Sequence, residues 1–334
     1  MTPDQARTEL LRATIVISAA LVAGLLFPQF AHRGLVFIAG VFWINVVFGM
    51  SFNLLFGTSG ILSFGQAMFY SAGAYLLGVV TLKVPDAPFL LVWLAAGVAG
   101  GLLALLVGVV ALRRAEGVYF AVLTLAFAAL VHILISKSTL MGRNDGLPGI
   151  GRPTIELGPL RLDLASGDSY YYFIMVACLA MVAVLWYLTH SRFGRTLRAI
   201  KQDPQRAAFL GIPVQRYRLG AFVVSGAMTA WAGALIGPWS QIVTPELAHW
   251  SNSTNPILYT LLGGSGSFWG PGLGAAILAG VFYATRTLVG VADIVTGLML
   301  LAVVLALPGG VMGLIMSRRE RDAAAGGGKG GGHG

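Results

Sequence analysis

Long apolar runs separated by short polar breaks make up most of this chain. The runs cover residues 13–30, 34–56, 64–82, 89–112, 118–135, 170–189, 219–239, 255–263, 269–289 and 292–316. A helix needs ~20 apolar residues to cross a bilayer, and all the runs but one come close to that length. The exception is 255–263. Its apolar core, Ile257 to Leu262, is short and follows the polar residues Glu246, His249, Ser251, Asn252 and Asn255. The pattern predicts an all-α, polytopic membrane protein of about ten helices, one short or broken, in two five-helix halves. Residues 1–316 read as a single transmembrane domain. The tail, 317–334, ends in GGGKGGGHG and is expected to lack order. Arg7 and Arg12 precede the first run, as they would in a signal peptide. That run is long for such a role and no small-x-small cleavage site follows, so a retained first helix is expected.

Composition agrees with the pattern. The chain is 57% hydrophobic and 10% charged, against roughly 25% charged in a soluble domain. The net charge of +9 is unevenly placed, so it speaks for membrane topology and against nucleic-acid binding. Basic residues are retained on the cytoplasmic side. With both termini inside, the inner segments hold Arg113, Arg114, the loop 190–218, Arg318, Arg319 and Arg321. The outer segment 137–169 balances Lys137, Arg143, Arg152 and Arg161 against Asp145, Glu156, Asp163 and Asp168. A re-entrant eighth segment would put the basic tail outside, so 255–263 is counted as crossing. The one cysteine, Cys178, lies in an apolar run, which excludes a disulfide framework and a cysteine metal site within the chain.

The loop 190–218 carries seven basic residues, Arg192, Arg195, Arg198, Lys201, Arg206, Arg216 and Arg218, and one acid, Asp203. It also has the marks of folded structure. Ser191 is a candidate N-cap. Phe193, Leu197 and Ile200 share a helical face, while Arg195, Arg198 and Lys201 face elsewhere. Asp203-Pro204 reads as a second helix start, closed by Gly211 and Pro213. The residues alone leave two readings open, a docking surface and an ordinary positive-inside loop.

Two glycine-rich stretches interrupt the runs, Gly57 to Gly65 and Gly263 to Gly272, at corresponding places in the two halves. Such paired breaks point to a transport pathway. The competing reading is a pair of tight turns between packed helices. Around the first break, Asn53, Ser59, Ser63 and Gln66 add donors and acceptors. Tyr119, Thr124 and His132 lie in the fifth run, where His132 reads as a packed residue. Arg286 and Asp293 could pair across the turn between the last two runs. The runs contain no chain of acids such as a proton- or sodium-driven carrier uses. The G-x-x-x-x-G-K-S/T phosphate loop, H-E-x-x-H and G-x-S-x-G are all absent from the sequence. No enzyme, metal or cofactor site is expected, and no catalytic residue is assigned. An ion-gradient-driven carrier or channel, and a membrane scaffold without a pathway, remain open from the residues alone.

Five segments together carry a resemblance. NLLFGTSGILSFGQAMFYSAGAY (53–75), EGVYFAVLTLAF (116–127), SRFGRTLRAI (191–200) with Ala207-Ala208 and Gly211-Ile212, LLGGSGSFWGP (261–271) and LPGGVMGL (307–314) resemble the branched-chain amino acid ABC transporter permease family. The second segment is closest to the family's LivM branch. Two places depart from the family pattern. MGRNDGL (141–147) keeps only the later Asp-Gly-Leu of an external glycine motif, which leaves urea, short amides and other small polar solutes as alternative cargo. Gln205, Arg206 and Phe209 surround the alanine pair where an acid is common.

The resemblance implies one permease subunit of an ATP-binding-cassette importer in a bacterial cytoplasmic membrane. Its expected partners are a homologous second permease, two cytoplasmic ATPase subunits, a periplasmic solute-binding protein and the lipid bilayer. It also implies a coupling set of Phe193, Gly194, Arg198, Ala207, Ala208 and Gly211. Asn53, Ser59, Ser63, Gln66, Tyr119 and Thr124 are the expected pathway set.

Overall fold

The computed structural model of the chain describes residues 3–157, 160–285 and a few positions between 294 and 313. The tenth expected helix, 292–316, falls largely outside these residues. The Arg286–Asp293 pair and the glycine-rich tail fall wholly outside them.

The helices follow the apolar runs. They are α1 (Pro3–Phe30), α2 (Arg33–Asn53), α3 (Gln66–Lys83), α4 (Phe89–Arg114), α5 (Val118–Lys137), α6 (Gly167–His190), α7 (Arg192–Gln202), α8 (Pro204–Phe209), α9 (Val214–Ser240), α10 (Thr254–Gly263) and α11 (Gly270–Thr285). Among the described residues, six helical stretches are long and apolar enough to cross a membrane: Ala13–Phe30, Arg33–Ser59, Phe89–Arg114, Val118–Lys137, Gly167–His190 and Val214–Ser240. The helices α3, α10 and α11 are outside that set. The ten residues of α10 rise about 15 Å, half the thickness of the hydrocarbon layer.

The core is built on α9, which packs against α2, α3 and α4. Apolar burial alone does not join helices in lipid; small residues that let backbones approach do. Two glycines show this directly. A Cβ on Gly73 of α3 would overlap the Ala230 carbonyl, and one on Gly233 of α9 would overlap the Tyr70 carbonyl. On the α4 side, Gly97 seats the Trp231 indole. The two tryptophans there bond across the helices. Trp93 Nε1 donates to the Trp231 carbonyl at 3.1 Å and Trp231 Nε1 to the Leu94 carbonyl at 3.3 Å.

Contacts also sort the connections to the two ends of the bundle. At one end, strand β1 (Leu147–Pro148) of the long 137–169 segment pairs antiparallel with β4 (Ile242–Val243), just after α9. The same segment folds into the hairpin β2 (Thr154–Leu157) and β3 (Leu160–Asp163). These short ladders are the departure from an all-α chain. Also at this end, His132 Nδ1 lies 3.1 Å from the Pro245 carbonyl, and the ring packs edge to face on His249. His132 is thus packed against a neighbouring segment. At the other end, Glu116 between α4 and α5 meets Arg218 at 3.4 Å and Gln215 at 3.3 Å near the start of α9.

The helix α2 does not finish as an α-helix. It runs into a π-helical turn, Leu54–Ser59, which stops at Gly60 in the left-handed region, φ +76°. The Gly60 amide closes that turn on the Leu55 carbonyl, and residues 61–65 then lead to α3 outside any helix.

Replacing Gly233 with Val forces α9 away from α3. Overpacking of this kind costs about 1–3 kcal/mol. The expected outcome is a clear fall in the thermal unfolding midpoint of the detergent-purified protein, and an unchanged midpoint would contradict the packing described.

Candidate functional site

The basic loop folds into α7 and α8. Leu197 and Ile200 are buried, while Arg195, Arg198 and Lys201 lie on the exposed side. Phe193 is half-buried and stacks on Tyr217 with ring centroids 5.8 Å apart. Gly194 is required by a close approach, since a Cβ there would overlap the Thr189 carbonyl at the end of α6. The Arg198 guanidinium donates to the same carbonyl at 2.9 Å. Ser191 sits at the N-cap position but does not cap through its side chain. Its hydroxyl turns back to the Leu188 carbonyl at 2.7 Å. The expected Asp203 cap is present, with its carboxylate accepting from the Arg206 amide at 2.9 Å.

The end of α8 is closed by two reverse bonds. The Gly211 amide donates to the Ala208 carbonyl at 2.9 Å and the Ile212 amide to the Ala207 carbonyl at 3.1 Å. This is the Schellman pattern, with Gly211 at φ +82°. Ala207 faces inward, whereas Ala208 is exposed. Beside it, Phe209 is 92% exposed and Leu210 76% exposed. These apolar side chains are thus bare on a helix end fixed from both sides. Sequence reading placed Phe209 only as a neighbour of the alanines. The available signal was a Phe-Leu pair in a loop with no helical face to bury it.

The first glycine-rich break is sewn into the bundle by hydroxyls. The Phe64 amide donates to Thr124 Oγ1 at 3.2 Å, the Gly65 amide to Ser63 Oγ at 3.2 Å, and the Ala67 amide to Ser253 Oγ at 2.9 Å. Ser59 Oγ bonds the Leu55 carbonyl at 2.7 Å within the π turn. Ser63 and Thr124 therefore satisfy backbone that left the helix, as membrane depth demands. Gln66 is fully buried where α2, α3 and α9 meet. Its Oε1 accepts from Thr229 Oγ1 at 3.1 Å, and its Nε2 donates to Ser225 Oγ at 3.4 Å. Ser51 Oγ lies 2.7 Å from Thr229 Oγ1, and Ser225 Oγ donates to the Ser51 carbonyl at 2.7 Å.

The two glycine-rich stretches touch. Asn53 Nδ2 donates to the Ser267 carbonyl at 3.2 Å, and Gly57 lies against the Ser265 carbonyl. A cavity of about 1590 Å³ opens beside them between α1, α2, α6 and α11. Its walls are largely apolar, with Phe42, Trp43 and Leu179, and Asn53, Thr58 and Arg198 lie among its polar lining. Asn53 is the one member of the expected pathway set on this lining. Tyr119 stands apart, 80% exposed on α5.

Residues 34–305 match the family described as branched-chain amino acid transport system / permease component. The chain belongs to that permease family. Relatives of the permease include the high-affinity branched-chain amino acid transport system permease protein LivM of Escherichia coli, 28% identical over 79% of this chain and 66% of that protein. Another is LivH of Salmonella typhimurium, 24% identical over 79% of this chain and 89% of that protein. The fructose import permease protein FrcC of Rhizobium meliloti is 33% identical over 35% of this chain and 34% of its own length. The permease thus spans just under two thirds of the LivM protein. No solved structure matches it.

In the permease, replacing Thr229 with Val keeps the volume and removes the hydroxyl shared by Ser51 and Gln66. Buried partners left unsatisfied cost about 1–3 kcal/mol. Thermal unfolding in detergent should show that loss, and stability equal to wild type would mean that the four side chains are not coupled.

Proposed function

We propose that the chain is a permease subunit of an ATP-binding-cassette importer in a bacterial cytoplasmic membrane. It moves branched-chain amino acids across ten helical crossings, with both termini in the cytoplasm. The observation that carries this reading is the α8 tip. A short helix capped at Asp203 and closed at Gly211 presents bare Phe209 and Leu210, in a loop that also exposes Arg192, Arg195, Arg206 and Arg216. A rigid apolar tip on a loop of net positive charge suits the groove of a cytoplasmic ATPase, because the aromatic residue supplies the anchor and the charges supply orientation. Family membership supplies the second support, since LivM and LivH relatives are named as branched-chain amino acid permeases. The match to a fructose permease is partial, so amino acids lead over other polar solutes.

In this reading two ATPase subunits press on α7 and α8 of two homologous permeases, and a periplasmic binding protein delivers the solute at the opposite face. Of the coupling set, Phe193, Gly194 and Arg198 hold α7 against α6 and α9, Ala207 seats α8, Gly211 closes its end, and Ala208 is exposed beside Phe209. Tyr119 projects from α5 towards the second permease. Asn53 meets the cavity, while Ser59, Ser63 and Thr124 bond the broken backbone and Gln66 ties α3 to α9. The contacts at the two ends of the bundle support crossings by the segment ending in α3 and by 245–263, the latter ending in α10, and the reading adds a crossing by α11.

Two variants test the docking reading. Phe209→Asp should insert normally and no longer co-purify the ATPase subunit, at a cost in affinity of about 2 kcal/mol or more, as expected of a central aromatic anchor. Gly211→Val should place a side chain in the left-handed region, misaim the tip and abolish ATP-driven uptake of leucine by proteoliposomes. Normal uptake by the Gly211 variant would sink the claim.

A further inference from the structure

Lys201 is among the loop's basic side chains that turn away from the docking tip. Lys201, near the end of α7, reaches across to the first glycine-rich stretch, and its Nζ donates to the Gly57 carbonyl at 2.8 Å. That carbonyl belongs to the π turn at the C-terminal end of α2, where unpaired carbonyls concentrate negative potential. The lysine stem lies along Gly60, where even a Cβ would stand 3.0 Å from Lys201 Cγ. Gly60 therefore meets two demands, a left-handed backbone and room for this side chain.

The bond is the first link of a short chain. From Gly57 the π turn leads back to Asn53, whose amide holds the Ser267 carbonyl. Gly57 itself rests on the Ser265 carbonyl. Beyond the packing of α7 on the π turn, this ammonium is a polar bond from α7 to the turn that holds both glycine-rich breaks together at the polar part of the cavity.

We propose that Lys201 is a positioning residue that transmits movement of α7 to the paired breaks. The inference rests on the importer reading above and adds to it the route from the loop to the cavity. A contact present in one conformation and strained or absent in another biases the equilibrium by the difference, and only by that. The ammonium can act in this way because it is exposed, so water can replace its partner when α7 moves. The residues that hold α7 in place, Gly194 and Arg198, bind the end of α6 instead. Losing Lys201 should leave docking intact and disconnect the push from its destination.

The test uses the complete importer in proteoliposomes, with its second permease, ATPase subunits and leucine-loaded binding protein. Lys201→Met keeps the stem and removes the ammonium, and Lys201→Arg restores a cation. In the Met variant, leucine moved per ATP hydrolysed should fall at least about fivefold, the lower range of ordinary site-to-site coupling. Co-purification of the ATPase and its stimulation by the binding protein should stay at wild-type levels, and the Arg variant should recover coupling. Wild-type coupling in the Met variant overturns the proposal. So does a parallel loss of ATPase association, which would make Lys201 a docking contact, or a failure of Arg to recover what Met lost. Absence of ATP-dependent uptake by the unaltered complex would instead overturn the importer reading, and it is seen before any variant is compared.

Discussion

Inside a bilayer every backbone amide and carbonyl must find a partner within the protein. The rest of this structure depends on how that requirement is met where helices stop. Between Gly60 and Gly65 the chain leaves helical geometry. Hydroxyls of Thr124 and Ser63 accept from the Phe64 and Gly65 amides, and that of Ser253 from Ala67 in the first turn of α3. These residues come from the break itself, from α5 and from the turn before α10. The break is therefore a junction that fixes three elements against one another. Gln66, immediately after it, extends the junction to α2 and α9 through Ser51, Ser225 and Thr229.

A second constraint is close packing without a hydrophobic driving force between helices. The permease meets it with glycine set against carbonyl oxygen along α3 and α9, and with glycine set against indole along α4. This compact half contrasts with α1, which is largely exposed and borders the cavity. The loop helices join the two regions, since α7 packs on α6 and α9 and bonds the π turn.

Local chemistry was readable where one residue type settles the geometry. Asp203 before Pro204 announced a helix start, and Gly211 before Pro213 announced a stop. Both operate as expected. The apolar runs located the helices because length and hydropathy are properties of a segment by itself. What could not be read were features decided by partners distant in sequence. Ser191 occupies its cap position but bonds backwards, a choice between two nearby carbonyl and amide partners. Gln66 lay beside a glycine-rich break and so suggested a pathway lining, yet its amide is engaged by residues about 160 positions away. The π turn has no local signature, because its extra residue is tolerated by the contacts around it. Lys201 looked like one more cation keeping a loop inside.

The polar contacts at the centre of the bundle share one further property. Among the described residues, the buried polar side chains are serine, threonine, asparagine and glutamine, and none bears a formal charge. Moving a unit charge through a membrane voltage costs ~2.3 kcal/mol per 100 mV. A junction made only of hydroxyls and amides carries no gating charge. A shift of these groups across the membrane field would therefore move no formal charge of their own.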